Sequence, residues 1–291
     1  MRPYVKTYSV CVGNRACNAQ CPFCVARMSG ATGTEPGVAP VIDPVRLRKG
    51  AELAKSLGAT TALITGKGEP TLWPERLFEA VDVVREVFPL VEVQTNGIAL
   101  SDYITGGLYS RGVTMIALSA VHYRRDANEE CYGRYPHSGL SGLVNHIHLM
   151  GLSVRLCCML AKGWLDSVDE VERLIHWAHG EKVEQLTIRS ITTPSTPSYR
   201  NEEIWNWSKE HAIDHKTMQK IDEHIQHRSV RLNTLVHGRV YAYNLGDGEE
   251  QNVCLSDCLT ANADSNEIRQ LIYCPDGHVR YDWVHDAAIV F

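Results

Sequence analysis

The chain has 291 residues, which is the length of one large domain or of one domain with an appendage. Hydrophobic residues make up 44% and charged residues 22%, as in an ordinary globular protein. The formal net charge of −5 gives no indication of a general nucleic-acid-binding role, so we expect no nucleic-acid partner.

The first residues, "MRPYVKTYSVCVGNRAC", contain no apolar segment followed by small residues, so they do not resemble a secretory signal. No run in the chain reaches 18 apolar residues, so we expect no membrane span. These features predict a cytoplasmic protein. In that reducing compartment, cysteines are more often metal-binding or catalytic than disulfide-bonded.

The first 191 residues alternate between short β-branched runs and segments with helical spacing of apolar residues. Strands are expected at 5–12, 60–65, 91–95, 114–120, 153–160 and 185–191. Helices are expected at 44–58, 75–88, 138–150 and 166–178. This alternation predicts a parallel α/β sheet, either open and doubly wound or closed as a barrel. Periodicity does not separate the two.

Four polar segments follow or end these predicted strands. They are the cysteine loop after the first strand, "GKGEP" after the second, "TNG" after the third, and Ser119 at the end of the fourth. Ligands gather at the carboxyl ends of parallel strands in both open sheets and barrels. We therefore expect these segments to meet in one site.

A Pro/Ser/Thr-rich segment at 192–201 marks a junction, so we divide the chain into residues 1–191 and a C-terminal extension, 192–291. The extension is expected to contain helices at 202–211 and 214–228 and a hairpin near residues 237–238. A second hairpin is expected around "PDG", with Gly277 at a position of positive φ. We expect the extension to close the open side of a partial barrel.

Cys17, Cys21 and Cys24 form a C-x3-C-x2-C group, which an accident of composition explains poorly in a chain with 10 cysteines. Thiolates suit zinc and iron–sulfur clusters, but structural zinc usually needs four ligands, and the sequence offers no neighbouring fourth cysteine. Cys11 is an unsuitable fourth ligand because it lies inside a predicted strand. Three thiolates on a 4Fe-4S cluster would leave one iron open to bind a small molecule.

The group, with Phe23 before its third cysteine, resembles the signature of the radical S-adenosylmethionine (radical SAM) enzyme superfamily. The resemblance implies a partial (β/α)6 barrel, a 4Fe-4S cluster on Cys17, Cys21 and Cys24, and S-adenosylmethionine (SAM) bound at the open iron. It covers residues 5–191.

Three further motifs resemble SAM-contacting positions of the superfamily. Gly66, Gly68 and Glu69 stand where the superfamily has a Gly-Gly-Glu-type motif, but the inserted Lys67 leaves unclear which residue meets the SAM amino group. Thr95 and Asn96, within "QTNG", and Ser119 match the other two positions.

By this resemblance, the reduced cluster cleaves SAM, and the resulting 5′-deoxyadenosyl radical abstracts hydrogen from a small-molecule substrate, with nucleotide-like metabolites among the candidates. Oxidoreductase or lyase chemistry would follow. An external one-electron donor such as flavodoxin or ferredoxin would be needed. Phe23 is expected against the adenine, with simple loop packing as the alternative. Arg155 and Arg189, on the fifth and sixth strands, are expected to bind SAM or a substrate anion, with an ion pair or exposure as the alternatives.

Residues 121–137 form a long polar and aromatic segment after the fourth strand, which we interpret as a loop that contacts substrate or acts as a lid. Within it, Cys131 is a candidate catalytic residue that returns a hydrogen atom to a product radical. The alternative for each residue of this segment is a solvated loop.

Cys254, Cys258 and Cys274 form a second group, which faintly resembles the auxiliary-cluster region of the molybdopterin-precursor cyclase. The spacing departs from that pattern, because three residues separate the first two cysteines where the cyclase has two. Unligated thiols are the interpretation we favour.

Other functions stay open. A peptide-modifying maturase is less favoured, because Cys17 lies so near the first residue that no peptide-binding module fits before the barrel. A glycyl-radical activase would need a large partner that the sequence does not reveal. From a different class, a non-catalytic iron–sulfur or zinc protein would be favoured by a fourth cysteine beside the first three.

Overall fold

The computed structural model describes residues 5–30, 32–34, 41–191, 202–235, 238–246, 248–256, 268 and 270–291. Its strands are β1 (Thr7–Cys11), β2 (Thr61–Thr65), β3 (Leu90–Thr95), β4 (Met115–Ala120), β5 (Ser153–Leu160), β6 (Gln185–Ser190), β7 (Ser229–Leu235), β8 (Gly238–Gly246), β9 (Glu249–Ser256), β10 (Gln270–Tyr273) and β11 (Val279–Arg280). Its helices are α1 (Val25–Met28), α2 (Pro44–Ser56), α3 (Pro74–Arg85), α4 (Asp102–Ser110), α5 (Arg125–Tyr132), α6 (Gly139–Leu149), α7 (Val168–Gly180), α8 (Glu202–His211) and α9 (His215–His227), with a 3-10 turn at Pro70–Leu72.

These strands form one sheet in the order β11-β10-β1-β2-β3-β4-β5-β6-β9-β8-β7. Strands β1 to β6 lie side by side in chain order, and each neighbouring pair is parallel. The sheet is mixed because β11, β8 and β7 run antiparallel to their neighbours. The α/β class is therefore confirmed. Closure of the six parallel strands into a partial barrel stays a prediction.

Three of the helices between the parallel strands, α2, α4 and α7, begin at residues whose side chains accept hydrogen bonds from free backbone N–H groups. Asp43 caps α2 by accepting hydrogen bonds from the backbone N–H of Val45 and Arg46, both at 3.0 Å, and Pro44 occupies the first turn. Ser167 caps α7 through Glu170 N at 3.3 Å. These helices bury apolar stripes against one face of the sheet, as their sequence spacing predicts.

The sheet has two unlike faces. The face covered by the helices carries fully buried apolar side chains, including Val10, Ile64 and Leu156. The alternate positions point to the other face, where half-buried residues are frequent. Parallel sheets usually bury apolar residues on both faces, so a half-accessible polar face is unusual for a purely structural sheet. Its polar members are Ser9, Glu92, Gln94, Ser119, Arg155, Thr187, Arg189 and Cys254.

Three of the described helices, α1, α4 and α5, were not expected from the sequence. Helix α4 contains Gly106 and Gly107, which weaken helix propensity, but Ser101 caps it through Ile104 N at 3.4 Å. The interpretation of 121–137 as a loop is wrong for Arg125–Tyr132, which forms α5. The polar composition of that segment hides a short buried stripe at helical spacing, made by Ala127, Cys131 and Tyr132.

Residues after the predicted junction contribute strands to both ends of the parallel sheet. Strand β9 pairs in parallel with β6, and β10 pairs in parallel with β1. Both expected hairpins are present, as β7–β8 and β10–β11, and Gly277 has the expected positive φ of 82°. The junction itself, 192–201, and His237 lie outside the described residues. The domain boundary stays a prediction.

Across the part of the chain that the structure describes, none of the helices combines the length and apolar character needed to cross a membrane. The cytoplasmic location expected from the sequence stays a prediction.

Candidate active site

The three clustered cysteines lie on the loop that connects β1 to α1, at the carboxyl end of β1. Cys17 is exposed, whereas Cys21 and Cys24 are half-buried, and all three thiols are free. Cys24 stands at the N-terminal end of α1. The loop therefore offers three accessible thiols at the edge of the sheet where the sequence placed them.

Backbone hydrogen-bond donors lie beside two of these cysteines. The backbone N–H of Ala19 donates to Cys17 Sγ at 3.4 Å, and that of Arg27 donates to the carbonyl oxygen of Cys24 at 3.0 Å. Burial raises the pKa of Cys17 to about 11 and also raises the pKa of Cys24, while these donors oppose the rise. Sulfur ligands of metal clusters are thiolates, which such donors stabilise.

Cys131 lies on α5, whose end is held against the cysteine loop by the hydrogen bond from Gln20 N to Tyr132 O at 3.1 Å. The Cys131 thiol lowers the pKa of the Cys21 thiol. Burial and the Cys21 thiol hold the pKa of Cys131 far above its ordinary value. Sequence reasoning found no fourth cysteine near the group, because Cys131 is distant in the chain and the structure brings α5 against the cysteine loop.

In the described part of the chain, no three His, Cys, Asp or Glu side chains converge closely enough to hold a single metal ion. A 4Fe-4S cluster needs no such convergence, because each ligating cysteine binds a different iron. The free thiols and their donors fit thiolate ligands of a cluster, so Cys17, Cys21 and Cys24 are the residues that would hold one.

The "GKGEP" loop after β2 packs directly on the cysteine loop. The backbone N–H of Glu69 donates to Ala16 O at 2.9 Å. A Cβ on Gly68 would lie 2.0 Å from Ala16 O and 2.7 Å from Asn14 O, so only glycine fits there. A Cβ on Gly66 would lie 2.9 Å from Val12 O. Both glycines therefore permit two backbones to approach closely, just before the first cysteine.

Glu69 is the hub of the hydrogen bonds that join these loops. Its side chain is buried, and its carboxylate accepts from Thr71 N at 3.1 Å, Thr71 Oγ1 at 2.7 Å, Thr95 Oγ1 at 2.6 Å and Asn96 N at 2.9 Å. Burial raises the pKa of Glu69, and these four donors oppose the rise. The carboxylate is thus engaged within the protein. A SAM contact by this motif stays a prediction, and it would fall to the backbone of the loop.

Asn96 connects the same network to the cysteines. Its Nδ2 donates to Asn18 Oδ1 at 2.8 Å and lies 3.8 Å from Cys17 Sγ, while its Oδ1 accepts from Ile98 N at 2.9 Å. The Thr95 hydroxyl also accepts from Gly97 N at 3.0 Å. The loops after β1, β2 and β3 therefore form one connected unit, as the sequence predicted for the carboxyl end of the sheet.

The side chain of the inserted Lys67 takes no part in this hydrogen-bonded unit and extends toward β10. Its buried side chain donates from Nζ to Gly30 O at 2.7 Å, behind the cysteine loop. Burial lowers the pKa of Lys67 to about 8, although the nearby thiols of Cys11 and Cys274 favour its charged form. Lys67, the residue that departs from the Gly-Gly-Glu-type motif, therefore makes a structural contact that holds the residues following α1.

The polar face of the sheet carries the predicted residues Ser119, Arg155 and Arg189. Arg155 pairs with Glu92 on β3 through a short ion pair, which matches the alternative considered for it. Both arginines act electrostatically on the Cys254 thiol, which faces the same side on β9. Ser119 lies beside Cys157 across the β4–β5 pair. This face gathers two cations around polar and thiol groups, and SAM or substrate binding by these residues stays a prediction.

Phe23 lies in an aromatic cluster that the sequence did not predict. Its ring centroid lies 6.3 Å from that of Trp164 and 6.0 Å from that of Trp207, and the two tryptophans are 5.5 Å apart. Trp207 stacks on His211 at 3.9 Å. Trp164 follows β5 in the sequence, and this position was the feature from which the aromatic cluster could have been predicted. The half-buried Phe23 thus packs as a loop residue, and its contact with adenine stays a prediction.

The second cysteine group is not gathered on neighbouring strands. Cys254 lies on β9, while Cys274 follows β10 and is buried beside Cys11 at the other side of the parallel strands. Strands β1 to β6 lie between β10 and β9 in the sheet order. Cys258 falls outside the described residues. An auxiliary cluster on these cysteines stays a prediction that the strand order does not favour.

Comparisons with known proteins found similar structures but no similar sequences. No protein-family model matches the chain, and no curated protein matches it in sequence. SuiB of Streptococcus suis, in a crystal structure bound to precursor peptide SuiA, aligns with a TM-score of 0.63 at 14% identity, over 95% of this chain and 59% of SuiB. Native anSMEcpe with bound AdoMet aligns with a TM-score of 0.57 at 11% identity, over 98% of this chain and 76% of that one.

These structural neighbours are radical SAM enzymes, so this chain has the fold of the radical SAM superfamily, as its cysteine motif implied. Methylornithine synthase (PylB) aligns less closely, with a TM-score of 0.50 at 13% identity, over 65% of this chain and 54% of that one. The chain spans less than two thirds of the length of SuiB.

Proposed function

We propose that this protein is a radical SAM enzyme that holds a 4Fe-4S cluster on Cys17, Cys21 and Cys24. The observation that carries the proposal is the set of three free thiols on the loop after β1, with the backbone N–H of Ala19 donating to Cys17 Sγ at 3.4 Å. When bound, the cluster would supply the electron that cleaves SAM into methionine and a 5′-deoxyadenosyl radical.

The chain's own residues would position SAM and limit its exposure to water. Gly66 and Gly68 let the loop after β2 lie against the cysteine loop, where backbone groups are available to SAM. Asn96 reaches the Cys17 sulfur and fixes the third loop beside it. The carboxylate of Glu69 joins the loop after β2 to the loop after β3, and its backbone N–H joins both to the cysteine loop.

We infer that the substrate binds on the polar face of the sheet and carries an anionic group. Arg155 and Arg189 both lie on that face, and both lower the pKa of Cys254 against the effect of its burial. Arg155 is paired with Glu92, and Arg189 also has interactions within the protein. A small molecule with a carboxylate or phosphate fits this arrangement. An external one-electron donor would complete the reaction.

The test is anaerobic reconstitution with iron and sulfide. We expect about four irons per chain, blue-region visible absorption, and slow formation of 5′-deoxyadenosine from SAM with dithionite. A Cys17→Ala/Cys21→Ala/Cys24→Ala variant should lose both iron and 5′-deoxyadenosine. Stoichiometric zinc in anaerobically purified protein, with no iron uptake on reconstitution, would contradict the proposal.

Cys131 supports a second candidate of a different class, a non-catalytic four-thiolate iron–sulfur protein, because the hydrogen bond from Gln20 N to Tyr132 O holds its helix against the cysteine loop. In that protein, no iron would be open to SAM. Electron paramagnetic resonance (EPR) of the reduced cluster separates the two candidates. A spectral change on adding SAM supports the enzyme, and an unchanged spectrum supports the four-thiolate site.

Peptide substrates remain a candidate within the enzyme proposal, because the structure of the neighbour SuiB contains a precursor peptide. A glycyl-radical activase is a third form of the same chemistry, and it would act on a partner protein. Mass spectrometry of reactions with anionic metabolites, in parallel with peptides, distinguishes these substrate classes by the product formed.

A further inference from the structure

Three aromatic rings join α8 to the cysteine loop. The ring centroid of Trp207, on α8, lies 6.0 Å from that of Phe23 and 5.5 Å from that of Trp164. Phe23 stands between Cys21 and Cys24 in the chain, and α8 also packs against α1, which begins directly after Cys24. The helix therefore lies against the part of the cysteine loop that carries the two half-buried cysteines of the group.

Trp164 is the fixed member of this aromatic cluster. It lies in the tight turn between β5 and α7, where Trp164 N donates to Ala161 O at 3.1 Å and Ala161 N donates to Leu165 O at 3.2 Å. The side chain of Asp166 closes the same turn by accepting from Gly163 N at 2.8 Å. None of these three bonds involves α8, so the turn presents the Trp164 ring whether or not the helix is docked.

Helix α8 is attached less firmly than this turn. Of its ten residues, Ile204 and Ser208 are buried, and the others are half-buried or exposed. The Ser208 hydroxyl is buried without a hydrogen-bond partner among the described residues, which opposes docking of the helix. A short helix with few buried apolar side chains belongs to the parts of a protein that open most readily.

Two features determine how α8 sits when it is docked. At its C-terminal end, Lys162 donates from its backbone N to His211 O at 2.8 Å and from Nζ to Glu210 O at 3.2 Å. One turn earlier, the Trp207 ring stacks on His211 with a centroid distance of 3.9 Å and an interplanar angle of 5°. The stack orients the Trp207 ring toward the other two rings, so the aromatic cluster is the contact that holds the helix against the cysteine loop.

We propose that α8 is a reversible lid on the cysteine loop, and that the aromatic cluster of Phe23, Trp164 and Trp207 holds it closed. When α8 is docked, it limits access to the thiols of Cys21 and Cys24. When α8 is released, iron and sulfide reach them. The lid goes beyond the proposed function, because it acts on the loop whether or not a cluster is bound. Only its effect on cluster assembly rests on that function.

The first experiment measures the initial rate at which iodoacetamide alkylates each cysteine of the native, iron-free protein, by peptide mass spectrometry. Exposed Cys17 gives the rate of an open thiol, and fully buried Cys158 reports opening of the whole fold. Trp207→Ala should raise the rates of Cys21 and Cys24 about threefold or more relative to Cys17, because ring contacts are lost. The Cys158 rate should not change.

Three further variants make this test specific. Trp207→Phe should preserve most of the protection, since phenylalanine keeps a ring at this position. Trp164→Ala removes the ring of the turn and should expose the same two cysteines as Trp207→Ala. Trp205→Ala is the matched control on the same helix, because the Trp205 ring contacts Lys209, whose Nζ lies 3.5 Å from the ring centroid. It should leave every rate as in wild type.

The second experiment follows cluster assembly and loss. During anaerobic reconstitution with iron and sulfide, Trp207→Ala should take up iron faster than wild type and reach the same content of about four irons per chain. It should also lose iron faster to an added chelator, because the lid no longer covers the loop. Trp205→Ala should match wild type in both rates. Slower uptake in Trp207→Ala, with normal retention of iron, would overturn the lid.

The outcomes separate the lid from the proposed function. Unchanged relative alkylation of Cys21 and Cys24 in both Trp207→Ala and Trp164→Ala overturns the lid, and so does a parallel rise in the rate of Cys158. Either result leaves the proposed function intact if wild type takes up iron and its EPR spectrum responds to SAM. If wild type takes up no iron, the proposed function fails, whereas faster alkylation in the iron-free variants still supports the lid.

Discussion

The carboxylate of Glu69 accepts the backbone N–H of Asn96 at 2.9 Å, which ties the loop after β2 to the loop after β3. Through its own backbone, Glu69 also donates to Ala16 O, one residue before the first cysteine of the group. One residue therefore joins three loops at the candidate active site, two of them through its side chain and the cysteine loop through its backbone.

Glu69→Gln should destabilise the protein by about 1–3 kcal/mol, because an amide replaces one acceptor oxygen with a donor that faces other donors. Iron uptake should fall as well, since the cysteine loop loses its support. Urea unfolding and iron content measure the two effects. Glu52→Gln, at an exposed position of α2, is the control and should resemble wild type. A variant that unfolds like wild type would show that the four hydrogen bonds contribute little.

Gly68→Ala should distort the contact between the loop after β2 and the cysteine loop. The new methyl group would lie 2.0 Å from Ala16 O, and backbone must move to relieve this overlap at a cost of about 1–3 kcal/mol. We expect iron uptake to fall several-fold. Gly106→Ala is the matched control, because nothing lies within 4 Å of its Cβ position in α4 and alanine favours helix. Equal iron content in both variants would contradict the tight approach.

Lys67 should give the protein a recognisable pH dependence. Its pKa is about 8 in the folded protein against 10.5 for an ordinary lysine, so between these pH values the unfolded chain binds more protons. Stability relative to Lys67→Met should therefore rise with pH across that window, by up to roughly 3 kcal/mol.

The measurement for Lys67 is urea unfolding at several pH values between 7 and about 11. Comparison with Lys67→Met cancels the titration of other groups. Lys55→Met is the control, because Lys55 also donates to a backbone carbonyl, that of Val87 at 2.8 Å, from an exposed position. The free energy of unfolding of Lys55→Met should change with pH as that of wild type does. If the free energies of unfolding of wild type and Lys67→Met change with pH in parallel, the lowered pKa of Lys67 is contradicted.

The Arg155–Glu92 ion pair should contribute more to stability than a surface pair. Both side chains are 19% exposed, whereas those of Arg48 and Glu86 are 40% and 59% exposed. Double-mutant cycles with alanine should give a coupling free energy of about 1–3 kcal/mol for the first pair and about 0.2–1 kcal/mol for the second. Similar values for both pairs would show that the polar face is as well solvated as the surface.

The auxiliary-cluster hypothesis is tested by counting irons. Because β1 to β6 separate the strands that carry Cys254 and Cys274, we expect about four irons per chain in wild type. A Cys254→Ser/Cys258→Ser/Cys274→Ser variant should keep that number. A decrease from about eight irons to about four would establish a second cluster and would contradict this expectation.

The sequence predicted the six parallel strands and the edge at which the site forms, because the strands follow from local periodicity and the edge follows from the carboxyl-end rule. It also placed Cys17, Cys21 and Cys24 on one accessible loop. These features depend on residues that are close in the chain or on strands whose order is regular.

What the sequence did not reveal depends on contacts between distant residues. Cys131 reaches Cys21 only because α5 forms and Tyr132 O accepts the backbone of Gln20. Arg155 was predicted as a ligand contact, but its ion pair with Glu92 crosses an intervening strand and needs the sheet register to be seen. The partners of Phe23 likewise come from the β5–α7 connection and α8.

The pairing of β10 with β1 constrains how the protein is made. Ser9 Oγ donates to Gln270 Oε1 at 3.2 Å across 261 residues of chain. On the ribosome, β1 and the cysteine loop emerge before β10, so one edge of β1 stays unpaired until β10 has been synthesised. Iron delivered before that moment would meet thiols on an incompletely supported loop. Cofactor insertion is therefore expected to follow the synthesis of β10, and truncations that remove β10 should reduce cluster content in cells.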